Sequence, residues 1–163
     1  MAKKQKIIYT DTKKREYENR IYRRILKMAV VEQLLRSETD GTISFGNHKL
    51  AEKAKLEDFE HAGDLYKVKT YQKMTKLEKN GMFVYESVPG TSVINFKETS
   101  DGVTFIVEGD SDAQITIGLE EDTEYEVLVD GESAGKMSTN LGGKLNVSVE
   151  LAEADEVQVV IRK

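Results

Sequence analysis

From residue 42 onward, apolar and polar residues alternate in short runs broken by turn residues, the period of half-buried strands. Thr42–Phe45 and His48–Leu50 flank Gly46-Asn47, a hairpin signal. Leu65–Tyr71 alternates cleanly, and Met82–Val88 follows the turn Asn80-Gly81. Pro89-Gly90 ends that run. Ser92–Phe96 comes next, and Asp101-Gly102 turns the chain into Val103–Glu108. Further strands are expected at Gln114–Leu119, Glu124–Val129, Gly135–Ser138, Leu145–Val149 and Val157–Arg162. Residues 51–62 (AEKAKLEDFEHA) fit a helix by propensity and a strand by apolar position, and both readings stand. About nine or ten short strands with no helices between them predict a mainly β fold, an antiparallel sandwich or partly open barrel. The expected core faces are Val103/Phe105/Val107, Ile115/Ile117/Leu119, Tyr125/Val127/Val129 and Leu145/Val147/Val149.

The first part of the chain has a different period. Tyr17, Ile21, Ile25 and Met28 recur at spacings of three and four, which predicts an N-terminal α-helix. The apolar pattern runs on through Val30, Val31, Leu34 and Leu35, and SETDG at 37–41 should stop it. The expected organisation is a basic arm and helix over 1–36 and two small β subdomains, 37–108 and 109–163, which one continuous domain would also satisfy. Met28 opens MAVVEQLLRSETDG in the manner of a start. Residues 1–27 are therefore read either as a basic arm or as an over-extended gene start.

Charge sharpens that division. Residues 1–27 carry a net +7 and residues 28–163 a net −12. An acidic body repels nucleic acid, so contact with it is expected only through residues 1–27. There Lys13, Lys14, Arg15, Arg20, Arg23 and Arg24 are candidate phosphate contacts, with Tyr9, Tyr17 and Tyr22 placed to stack on bases. Glu16 and Glu18 interrupt the run, and a solvated helix explains it as well.

The chain has no cysteine, which rules out disulfides and thiolate metal sites and suits a reducing cytoplasm. No run of about 18 apolar residues exists to cross a membrane as a helix. Only two histidines are present, His48 and His61, both expected at the surface. One histidine beside Glu57, Asp58, Glu60 and Asp64 is a poor zinc set. The loop Glu108-Gly109-Asp110-Ser111-Asp112 offers calcium an Asp-x-Asp pair, but reads as a polar turn because the further oxygens of a calcium loop are missing. Glycine-rich NLGGKL at 140–145 precedes a strand and reads as a hairpin turn, not a phosphate cradle. No nucleophile motif and no cofactor motif is present. A Ser-His-Asp triad is compatible with the composition but marked by nothing.

Three segments, MAVVEQLLRSETDGTISFGN, GDLYKVKTYQKMTKLEKNGMFVYESVPGTSVINF and TEYEVLVDGESAGKMSTNLGGKLNVSVEL, resemble a group of small β-rich Firmicutes proteins that carry the label endosialidase. The resemblance covers about residues 28–151 and implies a glycosidase of that type. Sialidases grip the substrate carboxylate with three arginines and attack with a tyrosine. Beyond residue 36 this chain has only Arg162, so no catalytic residue carries over. The residues themselves favour a non-catalytic β-module that contacts itself or another protein. A carbohydrate-binding module is the alternative, with Tyr66, Tyr71, Phe83 and Tyr85 as its aromatic platform.

Overall fold

The computed structural model describes residues 13–18, 32–154 and 156–163. Residues 13–18 are helical and exposed. The remainder of the expected N-terminal helix up to residue 31, with Arg20, Arg23 and Arg24, lies outside the described residues. At its far end the helix expectation is corrected. Leu34 has a positive φ of 64°, and the chain enters a strand at Leu35.

Thirteen strands follow among the described residues: β1 Leu35–Ser37, β2 Ile43–Phe45, β3 Ala54–His61, β4 Asp64–Tyr71, β5 Met74–Lys79, β6 Met82–Val88, β7 Ser92–Thr99, β8 Gly102–Glu108, β9 Ala113–Gly118, β10 Glu124–Val129, β11 Glu132–Ser138, β12 Lys144–Val149 and β13 Val157–Arg162. They form two antiparallel sheets, β1-β2-β7-β8-β13-β10-β11 and β12-β9-β6-β5-β4-β3. The arrangement is a sandwich, not a closed barrel. Strands on either side of residue 109 share both sheets, since β8 pairs with β13 and β6 with β9.

Period-two patterning explains the core. Val103, Phe105 and Val107 of β8 and Val157, Val159 and Ile161 of β13 turn inward in register, all at most 3% exposed. Phe45, Tyr85, Phe96 and Phe105 meet edge-on or tilted between the layers at 5.2–6.4 Å. Such ring pairs add specificity to the burial of their large apolar surfaces.

Two local expectations are corrected, and one left open is settled. Gly46-Asn47 does not close a hairpin, and residues 48–50 are not a strand. Gly46, at φ +94°, lets the chain leave the first sheet, and the Asn47 side chain accepts from the N–H of Lys49 at 3.0 Å. The backbone N–H of Asn47 instead donates to Thr70 Oγ1 in the opposite sheet, which fixes the crossover. The ambiguous 51–62 segment resolves as β3. Its period is broken by a bulge between Leu56 and Phe59, with Asp58 at φ +55°, so apolar alternation alone does not outweigh the helical propensity of its residues. Strand β5 has no counterpart in the sequence expectation. Its inward residues are Thr75 and Leu77, so half of its buried face is polar.

Candidate interaction surfaces

Strand edges decide which backbone groups a sandwich offers to partners. On one side of this molecule the two sheets close against each other. His61, at the end of edge strand β3, donates from Nε2 to the carbonyl of Gly41 at 3.0 Å. Its Nδ1 then accepts the hydroxyl of Ser37 on edge strand β1 at 2.8 Å. The opposite side holds the edges of β11 and β12.

Three of the four edges carry devices that resist strand addition. Strand β1 has three residues. The bulge of β3 and its Lys55, Glu57, Asp58 and Glu60 break that edge. Strand β11 shifts register against β10 between Val127 and Leu128, with Gly135 at φ +99°. Strand β12 has none of these. Its six residues pair with β9 without a register shift, and Lys144 is its one charge.

The phase of the β9–β12 ladder is fixed by one bond. Leu119 N–H donates to the carbonyl of Gly143 at 2.7 Å, in the same register as the strand pairs. Antiparallel ladders alternate, so Leu145, Val147 and Val149 face β9 with their backbone groups. The N–H and C=O of Asn146 and Ser148 then point off the edge. Lys144, of the same parity, is already used. Its N–H donates to Asn140 Oδ1 at 3.0 Å, and its carbonyl accepts from Asn140 N–H at 3.1 Å. Leu145, Val147 and Val149 are 2–3% exposed, so the edge is rigidly held by its side chains while its backbone is open. NLGGKL is therefore a corner that carries the chain from β11 in one sheet to β12 in the other, and not the hairpin turn its glycines suggest.

A second feature is a recess of about 450 Å³ at one end of the sandwich. Met82, Val84, Phe96, Val103, Leu119 and Tyr125 line it. Lys79 and Glu98 pair across its rim at 3.3 Å. Glu120 on the rim is held by Lys163 at 2.9 Å, and this bond raises the pKa of the ammonium. The recess can accept an apolar group; its rim charges are already satisfied.

The sequence-derived candidates fall as follows. Lys13, Lys14 and Arg15 share the exposed helical stretch with Tyr17, and the other three arm cations lie outside the described residues. Of the aromatic platform, Tyr85 is fully buried and Tyr66 is 7% exposed, so neither offers a face to a sugar. Burial, with Glu98 and Asp64 nearby, pushes the Tyr66 phenol up to about 12. Tyr71 and Phe83 reach the surface, but Lys53 lies over the first ring at 5.5 Å and Lys144 over the second at 4.5 Å. The four rings do not make one platform.

His48 is also corrected: it is 5% exposed, not at the surface. Its Nδ1 lies 2.8 Å from Ser92 Oγ and its Nε2 3.7 Å from Asp110, which Lys49 holds at 2.5 Å. Serine, histidine and aspartate do meet here, but Ser92 is 1% exposed and sits on Nδ1, with the carboxylate beyond hydrogen-bond reach of Nε2. This set ties the chain after β2 to the start of β7. Desolvation dominates the histidine and lowers its pKa, against the pull of Asp110. Asp112, the other aspartate of the acidic loop, accepts the N–H groups of Leu151 and Ala152. Among the described residues no three His, Asp or Glu side chains converge on a metal position, and no helix is long and apolar enough to cross a membrane.

Sequence reasoning missed a buried hydroxyl cluster. Thr91 Oγ1 meets Tyr85 Oη and Ser87 Oγ at 2.7 Å each, and Thr75 Oγ1 donates to the Thr91 carbonyl at 2.7 Å. Parity was the available signal, since Ser87 shares the inward parity of Tyr85 and Thr75 that of Leu77. Compared with protein-family models, with curated proteins and with solved structures, the chain matches none.

Proposed function

We propose that the protein is a non-catalytic β-module that works by protein contact, with the open edge of β12 as its docking line. The observation that carries this reading is the contrast among the four edges. Three are short or bulged, whereas β12 presents the backbone of Asn146 and Ser148, unpaired among the described residues, on a strand anchored by three buried side chains. Strand addition gives affinity through main-chain hydrogen bonds and specificity through alternate side chains. The neighbouring outward side chains suit such a contact. Thr116 donates to Asn146 Oδ1 and Ser148 to Gln114 Oε1, at 2.8 and 2.9 Å, so the side chains at the middle of the edge are uncharged and paired. The reading places the module in a reducing cytoplasm, where a chain without cysteine needs no oxidative folding.

A photo-crosslinking side chain at Asn146 tests the reading in cells, against the same group at Glu60 on the bulged edge. Adducts to protein from position 146 and not from position 60 are expected. Equal labelling from both, or none from 146, overturns the reading.

A further inference from the structure

The partner at this edge follows from which backbone groups β12 leaves open. We infer that β12 pairs antiparallel with β12 of a second copy about Val147, joining two six-stranded sheets into one of twelve strands. The inference rests on the docking reading above and names its partner.

Hydrogen-bond phase selects the register. Within β12 only Asn146 and Ser148 have both backbone groups open among the described residues, because Lys144 is engaged by Asn140. A two-fold pairing about Val147 sets Asn146 opposite Ser148 of the second copy, and Ser148 opposite its Asn146. Each such pair exchanges two N–H···O bonds, so all the open groups of both strands are satisfied. Moving the centre to Asn146 would require the occupied backbone of Lys144. Moving it to Ser148 would call on Glu150, beyond the end of the strand.

Side chains agree with that register. Leu145 falls opposite Val149, and Val147 opposite itself, all on the core face. On the outer face, strand parity sets Lys144, whose ammonium lies 4.5 Å from the Phe83 ring in the single copy, opposite Glu150. Opposite charges directly across a ladder are stabilising, and like charges are not. Glu150 is exposed and makes no ion pair among the described residues. A closed two-fold contact of this kind also consumes the edge and stops further addition.

Sedimentation velocity on the full chain over a wide concentration range tests the inference. A monomer–dimer equilibrium is expected. Ser148→Pro removes an outward N–H without touching the β9 ladder and should leave a folded monomer. Lys144→Glu and Glu150→Lys should each raise the dissociation constant about tenfold, since each places like charges opposite at two symmetric positions. The combined K144E/E150K chain should return to near wild-type affinity. A wild type that stays monomeric throughout, a dimer that survives Ser148→Pro, or a double variant no tighter than the singles overturns the inference. Position-146 crosslinks separate the two readings. Crosslinks to a different protein from a monomeric wild type sink the second copy and leave the docking edge. Absence of all protein adducts sinks both.

Discussion

Leu119 and Gly143 are joined by a single 2.7 Å bond from backbone N–H to backbone carbonyl, and this bond determines which residues of β12 face inward to β9. The consequence is a sharp asymmetry between two neighbouring positions. Val147 donates into the sheet and Ser148 points off it. Val147→Pro should therefore cost at least about 2 kcal/mol more than Ser148→Pro, through one lost ladder bond and an unpaired acceptor on β9. Urea unfolding of the two variants under conditions where both are monomeric measures the difference. A Ser148→Pro loss exceeding that of Val147→Pro would mean that the ladder has the opposite phase and that the edge offers other residues, and equal losses would refute the asymmetry.

Thr91 is the hub of the buried hydroxyl cluster, and the geometry ranks its members. Tyr85→Phe removes one partner but leaves Thr91 and Ser87 bonded to each other at 2.7 Å. A loss of about 1 kcal/mol is expected. Thr91→Val keeps the volume but removes the partner that the Tyr85 and Ser87 hydroxyls share, leaving them only each other. That should cost about 2 kcal/mol, since two buried bonds are lost at once. Denaturant melts of the two variants check the order. A Tyr85→Phe loss exceeding that of Thr91→Val would show that the ring hydroxyl, not the threonine, organises the cluster.

The ranking also shows what kind of information the sequence holds. Strands Glu124–Val129 and Val157–Arg162 have the bounds that alternation predicts, because β-branched and aromatic residues occupy their inward positions. Where the inward residue is a threonine, as at Thr75 of β5, the period is present but hydrophobicity does not reveal it. Where a bulge intervenes, as at Asp58, the period itself changes. The edge of β12 was legible as a strand but not as an edge. Strand order depends on which distant segments pair, and one strand's own residues do not record that. His48 illustrates the same limit. It is buried against a partner, Ser92, 44 residues away, and no local pattern marks it.

Two glycines separate steric need from backbone preference. A methyl group at Gly90 would fall on the carbonyl oxygen of Tyr71, a backbone atom that cannot swing aside. At Gly131 the φ is +80°, but nothing lies within 4 Å of the added carbon. Gly131→Ala should cost about 1 kcal/mol for the left-handed backbone alone. Gly90→Ala should cost about 3 kcal/mol or more, or prevent folding, because a well-packed crossover must move. Thermal melts of the pair decide it, and similar midpoints would show that the loop around Gly90 yields freely.

His48 gives the molecule a pH dependence whose sign follows from burial. Asp110 and Lys49 are the charged groups facing the ring, and they oppose each other. Desolvation prevails and holds the folded-state pKa below the ordinary value near 6.5. Between those two values the unfolded chain binds a proton that the folded chain does not, so stability rises with pH across the window. The contribution is complete above about 6.5 and is lost as the pH falls toward the lowered folded value. Carboxylates titrate at lower pH in every variant, so the informative quantity is the difference between wild type and His48→Gln. That difference should change in favour of the glutamine variant as the pH drops from about 7 to about 5. Asp110→Asn should steepen the wild-type slope, because it removes the one neighbour that raises the histidine pKa. Chemical denaturation at a series of pH values measures all three. A His48→Gln profile parallel to the wild type would show that the ring titrates alike in both states, and that the contact with Ser92 does not shield it from water.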